Sequence, residues 1–156
     1  MTEQKISIEA AENEWKNFLI ENEANGLIPD ENLKNSSEKE DRDEYKNQKK
    51  NYDAAARAIS LGRLIITDNV PTVVLRFPIL DKEGKPYLSE LKFSGRWQVK
   101  DRERVFKGLN QKDASDMLFA QRKLAAILTG QSEEILGKID GKDASLVDII
   151  VSVFFM

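Results

Sequence analysis

Cysteine and histidine are both absent from this sequence of 156 residues. The chain therefore cannot form a disulfide, a Cys/His zinc site, or a nucleophile paired with an imidazole base. Only carboxylates, Lys, Tyr and Ser remain for acid–base or nucleophilic chemistry, and we expect a protein that is not an enzyme. The lack of cysteine also favours an intracellular location.

Long hydrophobic runs are also missing. No apolar stretch approaches the roughly 18 residues that a membrane span requires, so we expect no membrane association. The start of the chain, Met1-Thr2-Glu3-Gln4, lacks the basic and apolar character of a secretory signal.

Ligand-binding motifs are equally scarce. The 8 glycines are isolated and never form a phosphate-binding loop, so we expect no nucleotide or other cofactor. The densest acidic cluster, Asp140, Asp143 and Asp148, lacks the alternating ligands and the final bidentate Glu of a calcium loop. We expect it to cap helices and face solvent rather than hold a metal.

Charge divides the chain unevenly. Residues 1–50 hold 8 Lys and Arg against 13 Asp and Glu, whereas residues 51–156 hold 16 against 14. The charged run 38–44 cannot bury itself, and Gly26 and Pro29 interrupt helical periodicity before it. We therefore predict an amphipathic helix and a linker, 25–36, within residues 1–36, and an α+β domain over 37–156, with 1–36 dispensable for its folding.

Helical periodicity and capping residues predict the secondary structure of most of the chain. Ser7 precedes a stripe of apolar residues at helical spacing, which indicates a first helix. The stripe consists of Ile8, Ala11, Trp15, Phe18 and Leu19. Gly62 ends a charged helix predicted over 38–61. Further helices are predicted over 98–107, 111–129, 132–138 and 143–155.

The middle of the chain has the period of β-strands. Strands are predicted between about residues 63 and 93, with a hairpin over 72–93 around the turn residues 81–86. The predicted fold is α+β: a hairpin or small antiparallel sheet packed on a C-terminal helical bundle, with a helical, acidic N-terminal extension.

One basic stretch interleaves cations with Phe93, Trp97 and Phe106, a composition that can contact nucleic acid. Its cations are Lys92, Arg96, Lys100, Arg102, Arg104 and Lys107. Asp101, Glu103 and a sequence pI near 5.2 oppose that role, and we do not expect a nucleic-acid partner.

The order of features from residue 87 to the end resembles the small tail assembly chaperones of long-tailed bacteriophages and prophages. The strand Leu91–Phe93 and the basic stretch around Val99–Arg104 precede an amphipathic helix. The most specific piece is Ala126–Glu134, and an aliphatic helix follows Asp143. The chain differs from shorter family members in its acidic extension before residue 52.

The resemblance implies a non-enzymatic protein that binds the tape measure protein, keeps it soluble and helps tail tube subunits to assemble. Two apolar stripes, in helix 111–129 and in the terminal helix, would form a groove for a partner helix. The predicted partner-binding residues are Met117, Leu118, Leu124, Leu128, Val147, Ile150, Val151 and Phe154.

Alternatives remain open. The protein is expected in the cytoplasm of the bacterial host as a chaperone, or in the virion tail as a structural tail or neck adaptor. A homo-oligomer buried around the terminal helix is a further hypothesis.

Overall fold

The structure is a computed structural model and describes residues 5–155. The predicted lack of a secretory signal at Met1–Gln4 lies outside these residues. The described chain forms seven α-helices, one 3-10 helix and three strands, so the predicted α+β class is confirmed. It divides into a first unit, which runs to Asn69 and takes in the C-terminal residues from Val153, and a second unit, Val70–Ser152. The boundary predicted at residue 36 differs from this division.

The first unit contains helices α1 (Ile8–Glu21), α2 (Glu31–Lys34) and α3 (Lys39–Ser60), a 3-10 helix (Asn25–Leu27) and strand β1 (Leu64–Thr67). Ser7 caps α1 as predicted, because its hydroxyl accepts a hydrogen bond from the amide of Ala10. The α1 face that packs on α3 includes the stacked rings of Trp15 and Phe18, 5.3 Å apart. Ile8 lies off the buried face and is exposed.

Residues 25–36, the predicted linker, contain regular secondary structure. They form the 3-10 helix and α2, and α2 packs on α3. Asp30 caps α2, and the side chain of Gln48 on α3 both accepts from the amide of Asp30 and donates to the carbonyl of Gly26. Tyr45 donates to Glu31. Gly26 and Pro29 interrupt regular helix in this segment, and the side chain of Gln48 bonds backbone groups that would otherwise lack a partner.

The second unit contains strands β2 (Val70–Leu80) and β3 (Pro86–Lys92) and helices α4 (Val99–Phe106), α5 (Ala114–Thr129) and α6 (Glu133–Leu136). It also contains most of α7 (Gly141–Phe154). The strands lie in the sheet order β1-β2-β3, and β2 pairs with β3 antiparallel as the predicted hairpin. Asp81 stabilises the turn by accepting from the amides of Glu83 and Lys85.

The β2–β3 pairing is regular from Thr72 to Val74 and becomes irregular between Val74 and Ile79. Within that irregular part, the amides of Arg76 and Phe77 donate to the carboxylate of Asp143, at N–O distances of 3.0 and 3.1 Å. Pro78 follows and has no amide hydrogen to contribute. Asp143 is buried, so the prediction that it faces solvent is wrong.

The predicted helices are all present with shifted ends. The helix predicted from 111 begins at Ala114, because the carboxylate of Asp113 caps it through the amides of Ser115 and Asp116. The helix predicted over 132–138 ends at Leu136, and the terminal helix begins two residues before its predicted start at 143, at Gly141. Among the described residues, no helix has both the length and the apolar character for crossing a membrane.

Candidate functional site

A groove lies between α5, α6 and α7 in the second unit, with a volume of about 190 Å³. We call it the α5–α7 groove. Its walls combine apolar side chains with the polar or charged side chains of Gln121, Arg122 and Asp148. It is lined by Leu118, Gln121, Arg122, Ala125, Leu136, Gly137, Ile139, Ala144, Val147 and Asp148.

Local sequence signals fix the helices around the groove. Gly130 ends α5 in the left-handed conformation, with φ of 71°, a backbone state that glycine adopts without a steric penalty. Ser132 starts α6 at once by accepting from the amide of Ile135. This short connection places Leu136 in the core beside α5. The short turn between the two capped helices therefore brings Leu136 and Gly137 to the groove wall.

The structure brings only part of the predicted partner-binding set to this surface. Leu118 and Val147 line the groove, and Leu118 is 61% exposed while Val147 is 6% exposed. Met117 and Phe154 are partly exposed and do not line it. The apolar wall that a partner can reach is thus smaller than the two predicted stripes.

Four of the predicted partner-binding residues belong to the hydrophobic core. Leu124, Leu128, Ile150 and Val151 are buried, with at most 1% of each residue exposed. A partner cannot contact these side chains while the helices remain packed, so their assignment to a partner surface is corrected. The helical period marks all apolar positions alike and does not distinguish a core position from a groove wall.

Sequence reasoning missed most of the groove wall. Gln121, Arg122 and Ala125 follow Leu118 at helical spacing on α5, which is the signal that would have found them. Ile139 lies just outside the start of α7, where no helical period marks it, whereas Ala144 precedes Val147 and Asp148 by one helical turn. Phe119 is 54% exposed and extends the apolar surface next to Leu118.

Asp148 and Arg122 are the charged residues of the groove wall. Partial burial raises the pKa of the Asp148 carboxyl above its usual value, and the nearby positive charge of Arg122 opposes that shift. The two side chains are not an ion pair by distance. The groove therefore has separate acceptor and donor groups on a wall that also contains Gln121 and apolar residues.

Within residues 5–155, no three acidic side chains come together in a way that could hold a metal ion. The three aspartates of the acidic cluster have separate roles. Asp143 binds the amides of β2, Asp140 accepts from the amide of Lys142, and Asp148 lines the groove. Comparison of the chain with protein-family models, with curated proteins and with solved structures finds no significant match.

Proposed function

We propose that this protein is a non-enzymatic tail assembly chaperone that binds an apolar helical segment of a tape measure protein in the α5–α7 groove. The structural observation that supports this function is the concave, partly apolar surface with Leu118 exposed. Contiguous exposed apolar surface, and concave pockets that combine apolar walls with a few polar groups, are typical of binding sites.

The size of the groove suits side chains of a partner helix. A cavity of about 150 Å³ accommodates a molecule the size of benzene, and this groove is slightly larger, at about 190 Å³. A helix lying in the groove would insert one bulky aliphatic or aromatic residue and contact Leu118 and Phe119 with residues one turn away. Arg122 and Asp148 would orient it through polar contacts at the wall.

A chaperone of this kind acts by covering apolar surface before assembly. A long helical protein that awaits its tube subunits exposes apolar stripes that would otherwise aggregate. Bound copies would shield those stripes in the host cytoplasm until tail tube subunits replace them. The resemblance of residues 87–156 to tail assembly chaperones supports the same role.

The test is co-expression with the tape measure protein of the same genome. We expect the wild-type protein to raise the soluble yield of the tape measure protein and to co-purify with it. Leu118→Glu places a charge at the groove edge and should reduce co-purification by about tenfold or more. Ile150→Glu does not suit this test, because Ile150 is fully buried and a charge there would unfold the protein.

Leu80→Glu is the matched control. Leu80 is also an exposed leucine, 56% accessible, and it lies at the end of β2 and not in the groove. The Leu80→Glu protein should co-purify with the tape measure protein as the wild type does. The tape measure protein could stay insoluble with both the wild type and Leu80→Glu, while the wild type occurs at a fixed copy number in finished particles. In that case the structural tail or neck adaptor replaces the chaperone as the function.

A further inference from the structure

A second groove, in the first unit, has a different chemical character. It runs between the end of α1, the 3-10 helix, α2 and α3, and has a volume of about 680 Å³. We call it the acidic groove. It is lined by Ile20, Asn25, Gly26, Ile28, Asp30, Leu33, Glu44 and Gln48.

The acidic groove combines apolar residues with carboxylates that have no basic partner. Ile20 is 48% exposed, and Ile28 and Leu33 are partly exposed. Neither Asp30 nor Glu44 forms an ion pair with a basic side chain among the described residues. By sequence the first unit carries 10 Lys and Arg against 15 Asp and Glu, so the field around the groove is negative. Such a surface suits a basic segment with an apolar residue.

The chain itself contains a segment of that chemistry, α4 with its flanks. Residues 94–109 hold 5 Lys and Arg against 2 Asp and Glu. The carboxylate of Asp101 accepts from the amide of Gln98 in the capping box of α4, which leaves Glu103 as the exposed acid of the helix. Val99 is 77% exposed and lies beside Lys100 and Arg102, which are also exposed.

We propose that α4 of one copy of this chain docks into the acidic groove of a second copy. Val99 would contact the apolar residues around Ile20, and the cations of α4 would face Asp30 and Glu44. Charge complementarity between the negative first unit and the basic helix supports this occupant. The contact uses different surfaces on the two copies, so it is a head-to-tail contact that can extend to further copies.

This contact is independent of the proposed function. It uses neither Leu118 nor any other residue of the α5–α7 groove. The basic stretch, which the proposed function leaves without a role, would be the self-association surface. A failure of self-association and a failure of tape measure binding would therefore be seen in separate experiments.

Two variants of the full chain each remove one side of the contact. The groove variant combines Ile20→Ala with Glu44→Lys, and the helix variant combines Lys100→Glu with Arg102→Glu. All four positions are exposed or line an open groove, so both variants should fold, which circular dichroism checks. Asp30 is left intact because it caps α2.

Each variant has a control with the same change of charge. Ile8→Ala with Glu9→Lys alters the same residue types at the other end of α1, about 18 Å from Ile20 by the rise of a helix. Ile8 and Ile20 have the same exposure, 48%. Lys138→Glu with Lys142→Glu matches the helix variant at exposed lysines outside α4.

Sedimentation equilibrium at low salt and high micromolar concentration gives the readout. The wild type and both controls should associate beyond the 17.8 kDa monomer, and association should weaken as salt screens the charges. Each interface variant alone should associate about tenfold or more weakly. An equimolar mixture of the two variants should form a 1:1 complex, because the unchanged α4 of the groove variant fits the unchanged groove of the helix variant.

Three results would overturn the proposal. The first is a wild type that stays monomeric at low salt, which would leave the acidic groove to a basic partner protein. The second is an interface variant that associates as strongly as its control. The third is a mixture of the two variants in which no 1:1 complex forms.

Discussion

Asp143 is hydrogen-bonded to the irregular part of β2. Both of its carboxylate oxygens accept backbone amides, from Arg76 and from Phe77, and the residue is only 4% exposed. A carboxylate that satisfies two adjacent amides allows a strand to lose its regular pairing without leaving buried donors unsatisfied. The first turn of α7 is in this way bonded to the strand next to Pro78.

Replacing Asp143 with Ala should lower the free energy of unfolding by about 2–3 kcal/mol, because two amides lose a charged acceptor. Urea denaturation of the full chain measures this change. Asp140→Ala is the control, since Asp140 is exposed and its carboxylate accepts from the amide of Lys142 alone. This change should cost about 1 kcal/mol or less. Equal losses in the two variants would show that the Asp143 contacts contribute nothing beyond a helix cap.

At the scale of elements, the segment that leaves β3 lies directly on the last turn of α5. The amide of Gly95 donates to the carbonyl of Leu128 at 2.8 Å. A Cβ atom at Gly95 would stand 2.6 Å from the carbonyl oxygen of Ile127 and 2.9 Å from that of Leu128. Backbone oxygens cannot move aside as a flexible side chain can, so only glycine permits this approach.

Gly95→Ala should therefore separate β3 from α5 and destabilise the protein by about 1–3 kcal/mol. Thermal melting followed by circular dichroism measures the loss. Gly141→Ala is the control, because a Cβ there meets open space at the start of α7, and alanine favours helix. The prediction is refuted by a Gly95→Ala protein that melts at the wild-type temperature.

At the scale of the whole molecule, residues before the charged helix form part of a compact unit. Trp15 and Phe18 are each 2% exposed against α3, and the hydroxyl of Tyr52 donates to the carbonyl of Glu12. The amide of Lys5 donates to the carbonyl of Ser60 at 2.7 Å. The sequence predicted that residues 1–36 are dispensable for folding. From these contacts we now expect that they are needed for it.

A chain of residues 37–156 should lose the helical signal of α3, because α3 has few apolar side chains of its own and α1 covers them. Hydrogen exchange measured on the full chain and on the truncated one locates the loss. Within the full chain, Trp15→Ala should cost about 3–5 kcal/mol as a core truncation, whereas Ile8→Ala at the exposed end of α1 should cost little. Unchanged protection of α3 amides in the truncated chain would show that residues 1–36 are dispensable for folding.

The sequence predicted the α+β class and every α-helix of eight residues or more, because periodicity, caps and helix-ending glycines are local signals that act over one or two turns. Ser7, Ser132 and Gly62 lie where those signals placed them. The same local signals predicted a linker over residues 25–36. No local pattern shows that Tyr45 and Gln48, which lie on α3, form hydrogen bonds with this segment.

What the sequence determined by itself was the set of elements, the acidic first part, the basic segment around α4 and the lack of Cys and His chemistry. Only the tertiary structure decided which apolar residues are core and which are surface. Leu118 and Leu124 belong to one helix and are both apolar, yet one lines an open groove and the other is fully buried. The buried role of Asp143 was likewise invisible, because its partners lie 66 and 67 residues away. Burial depends on which elements pack against a helix face, and that information is spread over residues distant in the chain.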